Sequence, residues 1–222
     1  MSNESLYIRH NQAYSAKLFP YAPEAFKAFG EFNKQALAAG ALSVKTKELI
    51  AVAVAHITGC PYCIEAHVNK AKDQNASLEE LVESIIVATA VNAHSVFYNA
   101  INALNAYQGG EAGGELYARN NLEKIEEVEK LNEAQYTSFT AFVHQALQPG
   151  LLTAKEKILI ALASSHITGN AYSIEIFSRQ AKEAGITLEE LAELILVATA
   201  LKAGAALAHR VNAQQAFDRE QE

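Results

Sequence analysis

The two cysteines of this 222-residue chain stand in one phrase, Cys60-Pro61-Tyr62-Cys63, with Glu48 upstream and His67 downstream. Cys63 and His67 are one helical turn apart, so thiol and imidazole share a helix face. An acid, two thiols and a base in so short a stretch are the groups needed to activate a thiolate. With Cys60 at a helix N-cap and Cys63 at the third helical position, both sulfurs lie at the positive end of the helix dipole, beside unpaired N–H groups that favour the thiolate. His67 can take the Cys63 proton. Glu48 belongs to the preceding helix and reaches His67 only if the two helices pack antiparallel or crossed. There it would orient the imidazole and strengthen it as a base, as the third group of a triad does. In this scheme Cys63 reduces a peroxide and becomes a sulfenic acid, and Cys60 closes the disulfide. The alternative order, with Cys60 attacking first, is the thioredoxin-type assignment; Cys63 is preferred because it has the base.

The chain contains its own control. A shift of 110 residues aligns Phe26–Ala103 with Tyr136–Ala213 without a gap, and about half the positions between Lys45 and Ala93 are identical. His56-Ile57-Thr58-Gly59 returns as His166-Ile167-Thr168-Gly169, and Val87-Ala88-Thr89-Ala90 as Val197-Ala198-Thr199-Ala200. Two copies of one local fold are implied. The second copy replaces Glu48, Cys60, Cys63 and His67 by Ile158, Asn170, Ser173 and Phe177, while Tyr62, Ile64 and Glu65 return as Tyr172, Ile174 and Glu175. Asparagine preserves the cap, and Phe and Ile fill space with apolar bulk. Four polar groups lost together indicate four groups that work together: one active copy and one silent copy.

The elements that must position these groups read as helices throughout. Phe26, Phe29, Phe32 and Leu37 fall at helical spacing, with Gly40 as a stop. Ser43 and Thr153 are N-caps for helices running to about Thr58 and Thr168, which Gly59 and Gly169 break. Pro61 at the first helical position suits the next helix, which runs to about Gln74, with Asn75 (Gly185 in the second copy) as its left-handed terminator. Ser77-Leu78-Glu79-Glu80 and Thr187-Leu188-Glu189-Glu190 are capping boxes opening a further helix with an apolar stripe of Leu81, Ile85, Ala88 and Val91. Gly109-Gly110 and Gly113-Gly114 mark a joint, and Leu122 to Leu131 reads as a solvated connecting helix. The expected architecture is all-α, two tandem helical units over residues 1–110 and 111–222, the first carrying the site and the second degenerate.

Half of the residues are hydrophobic and 19% are charged, an ordinary globular balance. A formal net charge of −7 argues against a nucleic-acid backbone or an anionic membrane as partner. No uninterrupted apolar run approaches the length of a membrane span, and Met1-Ser2-Asn3-Glu4 lacks the start of a secretory signal. A cytoplasmic location is expected, where a Cys-x-x-Cys pair is catalytic or metal-binding more often than structural. Glu48, Cys60, Cys63 and His67 also have the ligand types for zinc, which makes a zinc-stabilised or purely structural helical oligomer the non-enzymatic alternative. His56, Tyr62 and His94 are further candidates for the relay or the pocket: His56 persists as His166, pointing to a packing role, and His94 becomes Gly204. His10, His144 and His209 read as surface residues.

The phrase Glu48-x11-Cys60-x2-Cys63-x3-His67 within an all-helical repeat resembles the alkylhydroperoxidase D-like group of the carboxymuconolactone decarboxylase superfamily. The resemblance is best over Lys45 to about Ala103, and most specific in the stretch from Ile57 to His67. It implies an oligomeric all-α fold and peroxide reduction through a cysteine pair, without metal or organic cofactor. It further implies Cys63 as the sulfenic acid, Cys60 as proton donor and resolving thiol, and Glu48 with His67 as the proton relay. The partners it implies are a hydroperoxide and a dithiol reductant, a lipoyl-bearing protein, with electrons passing on to a peroxiredoxin. Relatives assemble as trimers or six-unit rings, so a trimer of this fused tandem would supply six units and three active sites. The superfamily also contains lactone decarboxylases that do not depend on the cysteines, and this is the alternative enzyme class.

Overall fold

Local signals place the helices where the sequence marks them. Ser43 accepts a hydrogen bond from the Thr46 N–H and Cys60 Sγ from the Cys63 N–H, while Ser77, Thr153 and Thr187 each close a capping box with the glutamate three residues on. Gly59 and Gly169 end their helices in the left-handed region, which a residue with a Cβ adopts only with strain. Asn75 and Gly185 take the same conformation after the following helix. The structure, a computed structural model, describes residues 16–107 and 117–218. The Gly109-Gly110 and Gly113-Gly114 joint, the boundary at residues 110 and 111, and His10 lie outside the described residues.

Among the described residues the fold is all-α. The first repeat comprises α1 (Pro23–Leu37), α2 (Val44–Thr58), α3 (Pro61–Asp73), α4 (Leu78–Tyr98) and α5 (Ala100–Tyr107). After a short α6 (Ile125–Leu131), the second repeat follows as α7 (Glu133–Leu147), α8 (Ala154–Thr168), α9 (Ala171–Glu183), α10 (Leu188–Ala208) and α11 (Arg210–Asp218). The connecting helix begins at Ile125 rather than Leu122 and is not wholly solvated. Ile125 is buried with Ile101 and Tyr172, and Leu122 and Val128 pack against that cluster.

The repeats are not side by side but exchanged. Helix α4 lies against α7, α8 and α9 of the second repeat, and α10 lies against α1, α2 and α3 of the first. Helices α2 and α8 meet at the centre, and residues of both repeats form a single hydrophobic cluster. The sequence of α2 is apolar nearly all round from Leu49 to Ala55, and that whole run is buried, as a helix with no polar face must be. The helical stretches Leu78–Leu104 and Leu188–Asp218 are long and apolar enough to cross a membrane by length and composition alone. Their inward residues, Val87, Ala88 and Val91 with Val197, Ala198 and Leu201, belong to the shared core.

A pair of glutamates fixes this exchange. Glu193 on α10 accepts hydrogen bonds from the N–H groups of Ala41 and Leu42, both at 2.8 Å, and pairs with Lys47 Nζ at 3.0 Å. Glu83 on α4 does the same for Leu151, Leu152 and Lys157. Burial pushes each carboxyl's pKa up, but the two N–H bonds and the lysine together outweigh it and leave both below the usual carboxylate range. Gly40 therefore has a different role from the helix stop expected of it. Helix α1 already ends at Leu37 with Ala38 extended, and a Cβ on Gly40 would collide with the Glu193 carboxylate. Gly150 bears the same relation to Glu83.

Candidate active site

The site forms where α2 and α3 cross. Glu48 sits one turn into α2, and Pro61, preset for a first helical position, starts α3 so that Cys60 caps it. The Cys63 N–H donates to Cys60 Sγ at 3.2 Å, and the two sulfurs are joined as a disulfide across a Cα–Cα separation of 5.3 Å. His67, one turn beyond Cys63, is bonded through Nδ1 to Glu48 Oε2 at 2.7 Å. Both partners are buried, at 7% and 3% exposure, so the pair is held out of bulk water where an ion pair or charge-assisted bond is strongest. The packing of α2 on α3 thus joins Glu48 to His67, and the cap of α3 joins Cys60 to Cys63 one turn before His67. No cluster of three or more His, Cys, Asp or Glu side chains fit to hold a metal occurs among the described residues.

The other candidates separate. Tyr62 packs against the cysteines, its ring edge-on to His209 at 5.7 Å, and its hydroxyl donates to Asn212 at 3.4 Å. His56 Nδ1 bonds the Val52 carbonyl at 2.7 Å, and His166 makes the same bond to Leu162 at 2.8 Å. The bond recurs in the copy without cysteines, as the packing role expected of His56 requires. His94 is a clear correction: it lines the silent site of the second repeat rather than the pocket of the first. Its Nδ1 is 2.9 Å from Ser173 Oγ, and its ring stacks on Tyr98 and leans against Phe177. The reason is the exchange of α4, which carries His94 across to α9.

The same exchange supplies residues that no motif announced. Ala205 of α10 is buried in one cluster with Ala55, Cys60 and Cys63, and Ala208 packs against it. The second repeat therefore builds a wall of the first repeat's site. His209, read from sequence as a surface residue, is half-buried beside Tyr62 with its Nδ1 on the Ala205 carbonyl. The alignment of the repeats does carry a signal, since Gly204, Ala205 and Ala208 stand where the first repeat has His94, Ser95 and Tyr98. In the silent site those larger groups close a polar knot. Ser95 Oγ lies 3.2 Å from Ser173 Oγ, and Asn170 donates to the Ser95 carbonyl and to Asn99. At the corresponding places of the cysteine site stand the small residues Gly204, Ala205 and Ala208.

Burial pushes the His94 pKa down from 6.5 to about 4, because its neighbours include no carboxylate to stabilise a cation. The unfolded chain binds this proton near pH 6.5 and the folded chain does not, so acid favours unfolding. No cost exists above pH 6.5; it grows as pH falls toward 4 and then levels off. His94→Gln is expected to lose less stability than wild type between pH 7 and 4.5, by roughly 2 kcal/mol. Denaturant midpoints at the two pH values check this, and equal losses in both proteins would refute it.

Comparison with known proteins places the chain by sequence and by fold. The sequence profile of the Carboxymuconolactone decarboxylase family matches residues 23–106 and again 134–216. The chain belongs to that family, as a tandem of two units. Among curated relatives, a Paracoccus denitrificans protein described as uncharacterized protein 4 in cox locus is 47% identical over 77 residues, 35% of this chain and 69% of its own. An uncharacterized Haemophilus influenzae protein is 40% identical over 95 residues, covering 36% of this chain and 84% of its own. A crystal structure from Burkholderia xenovorans, described as a gamma-carboxymuconolactone decarboxylase subunit, superposes with a TM-score of 0.68. It covers 96% of this chain and 94% of its own at 19% identity, a likeness of fold.

Proposed function

We propose that the chain is a thiol-dependent peroxidase or disulfide oxidoreductase of the alkylhydroperoxidase D type. The observation that carries this reading is the Cys60–Cys63 pair at the start of α3, one turn from a buried His67–Glu48 pair, with all four groups missing as a set from the second repeat. Cys63 loses its proton to His67 and attacks the peroxide oxygen; the O–O bond breaks and releases an alcohol, leaving a sulfenic acid. Cys60 then attacks that sulfur, water leaves, and the disulfide stores the two electrons. A dithiol reductant, a lipoyl-bearing protein or a route through a peroxiredoxin, returns the pair to thiols.

Free thiols counted on the reduced protein before and after one equivalent of an organic hydroperoxide test the reading. Two thiols falling to none, and returning with a dithiol, are expected. Thiols that ignore peroxide would end the proposal. The second reading, decarboxylation of a small lactone acid, draws on the family's name and would be supported by a lactone-decarboxylating activity that survives loss of both cysteines. The proposed assembly is a trimer of tandem chains, with a native mass of three. Leu78, Val82 and Ile86 on α4, and Leu188 and Leu196 on α10, are exposed at one-turn multiples and offer it apolar faces.

A further inference from the structure

Glu48 has a second side. A cleft of about 460 Å³ opens between α1, α2 and the C-terminal end of α3, and Glu48 is in its wall with Asn33, Lys34, Ala38, Val44 and Lys70. Neither cysteine, nor His67, nor any residue of α10 lines this cleft. The sulfurs lie elsewhere, in the cluster with Tyr62 and Ala205. One carboxylate thus holds His67 through Oε2 and borders an opening that the redox pair does not share.

The second repeat again acts as the control. Asn33, Lys34, Glu48 and Lys70 become Val143, His144, Ile158 and Gln180, while Leu37 returns as Leu147. The copy that lost the thiols also lost both lysines and the buried acid at this position. A helix pair needs none of these groups to pack, since the second repeat packs without them.

We infer that this cleft is the proton port of the site, through which the Glu48–His67 pair exchanges protons with water and with small carboxylic acids. The inference rests on the proposed thiol chemistry. When the Cys63 S–H bond breaks, the electron pair stays on sulfur and the proton passes to His67. A proton then leaves the His67–Glu48 pair for a carrier in the cleft, and in peroxide turnover one returns by the same route through the pair to the leaving alkoxide, so the protons balance. Lys34 and Lys70, exposed at the mouth, favour an anionic carrier, against the carboxylates of Asp73 on the rim and of Glu48 in the wall, the latter already bonded to His67. Peroxide and reductant can use the sulfur side while protons use the other, and no water need cross the apolar cluster around the cysteines.

Chemical rescue tests the port. Alkylation of Cys63 by iodoacetamide is followed by mass spectrometry on the reduced full chain. Glu48→Ala is expected to slow it about tenfold, and formate or acetate to restore most of the rate in a saturable way. Adding Ala38→Trp, at an exposed position of the cleft wall, should cut that rescue at least severalfold. Lys34→Trp, one turn away on α1, is a second plug should the first disturb folding. Undiminished alkylation in Glu48→Ala, no rescue, or rescue that both plugs leave intact would overturn the port. Alkylation needs no peroxide, so the two ideas fail separately. Wild-type thiols that ignore peroxide, with rescue and its blockage both observed, would remove the peroxidase reading and leave the port standing.

Discussion

Cys63→Ser is expected to abolish peroxide-dependent turnover, to below about a hundredth of the wild-type rate, because serine lacks an ionisable nucleophile in this range. The variant should fold normally. Ser173 occupies the equivalent place in the second repeat, and its N–H donates to the same cap, Asn170 Oδ1, at 2.8 Å. Cys60→Ser separates the roles: one turnover should leave a sulfenic acid on Cys63 that a dimedone-type reagent traps, since the resolving thiol is gone. His67→Phe combined with Glu48→Ile repeats the replacements that Phe177 and Ile158 make in the second repeat, so it leaves no buried carboxylate unpaired and should also fold while slowing thiolate formation about a hundredfold. Stopped-flow peroxide consumption with mass spectrometry of the trapped adduct reads all three. Full turnover in Cys63→Ser would dispose of the scheme, and a sulfenic acid on Cys60 would reverse the order of the two thiols.

Glu193→Ala is expected to destabilise the fold by about 3 kcal/mol. The change removes the acceptor of two backbone N–H groups and leaves the Lys47 ammonium, whose side chain is 3% exposed, with only the Ala38 carbonyl at 2.6 Å. Glu83→Ala should cost a similar amount through Lys157, whose side chain is 6% exposed. Urea denaturation measures both. The decisive variant is Lys47→Met combined with Glu193→Ala, in which no buried charge is left unpaired and part of the loss should be recovered. If the double variant is no more stable than Glu193→Ala alone, the stranded ammonium is not the source. Because both carboxyls are held below their ordinary range, this contribution is present at neutral pH and is lost as acid protonates them.

These two expectations differ in how far the chain announces them. The four groups of the candidate site are visible as residue types at a spacing, because a helical turn is a local property and Cys63 must share a face with His67 wherever the helix lies. The caps are visible for the same reason: Ser43, Cys60, Ser77 and Thr187 satisfy N–H groups two or three residues away, and nothing distant can change that. Glu83 and Glu193 give no such sign. Each is a charged residue inside a long apolar helix, and its partners lie far along the chain, in a loop of the other repeat.

The sequence alone determines that this protein is helical, that its unit is used twice and that one copy carries thiols, an imidazole and an acid at reactive spacing. Only the tertiary structure decides which copy's helix covers which copy's site. A period of 3.6 residues says which face of a helix is apolar but not what that face meets. Here α4 and α10 carry similar stripes, so packing within one repeat or across both looks alike from the residues. The shared core and the Glu83 and Glu193 contacts resolve that degeneracy in favour of exchange. With the exchange, His94 falls to the silent site and Ala205 to the cysteine site, while α1, α2 and α3 of the first repeat together put Glu48 in the wall of a cleft that the motif alone does not reveal.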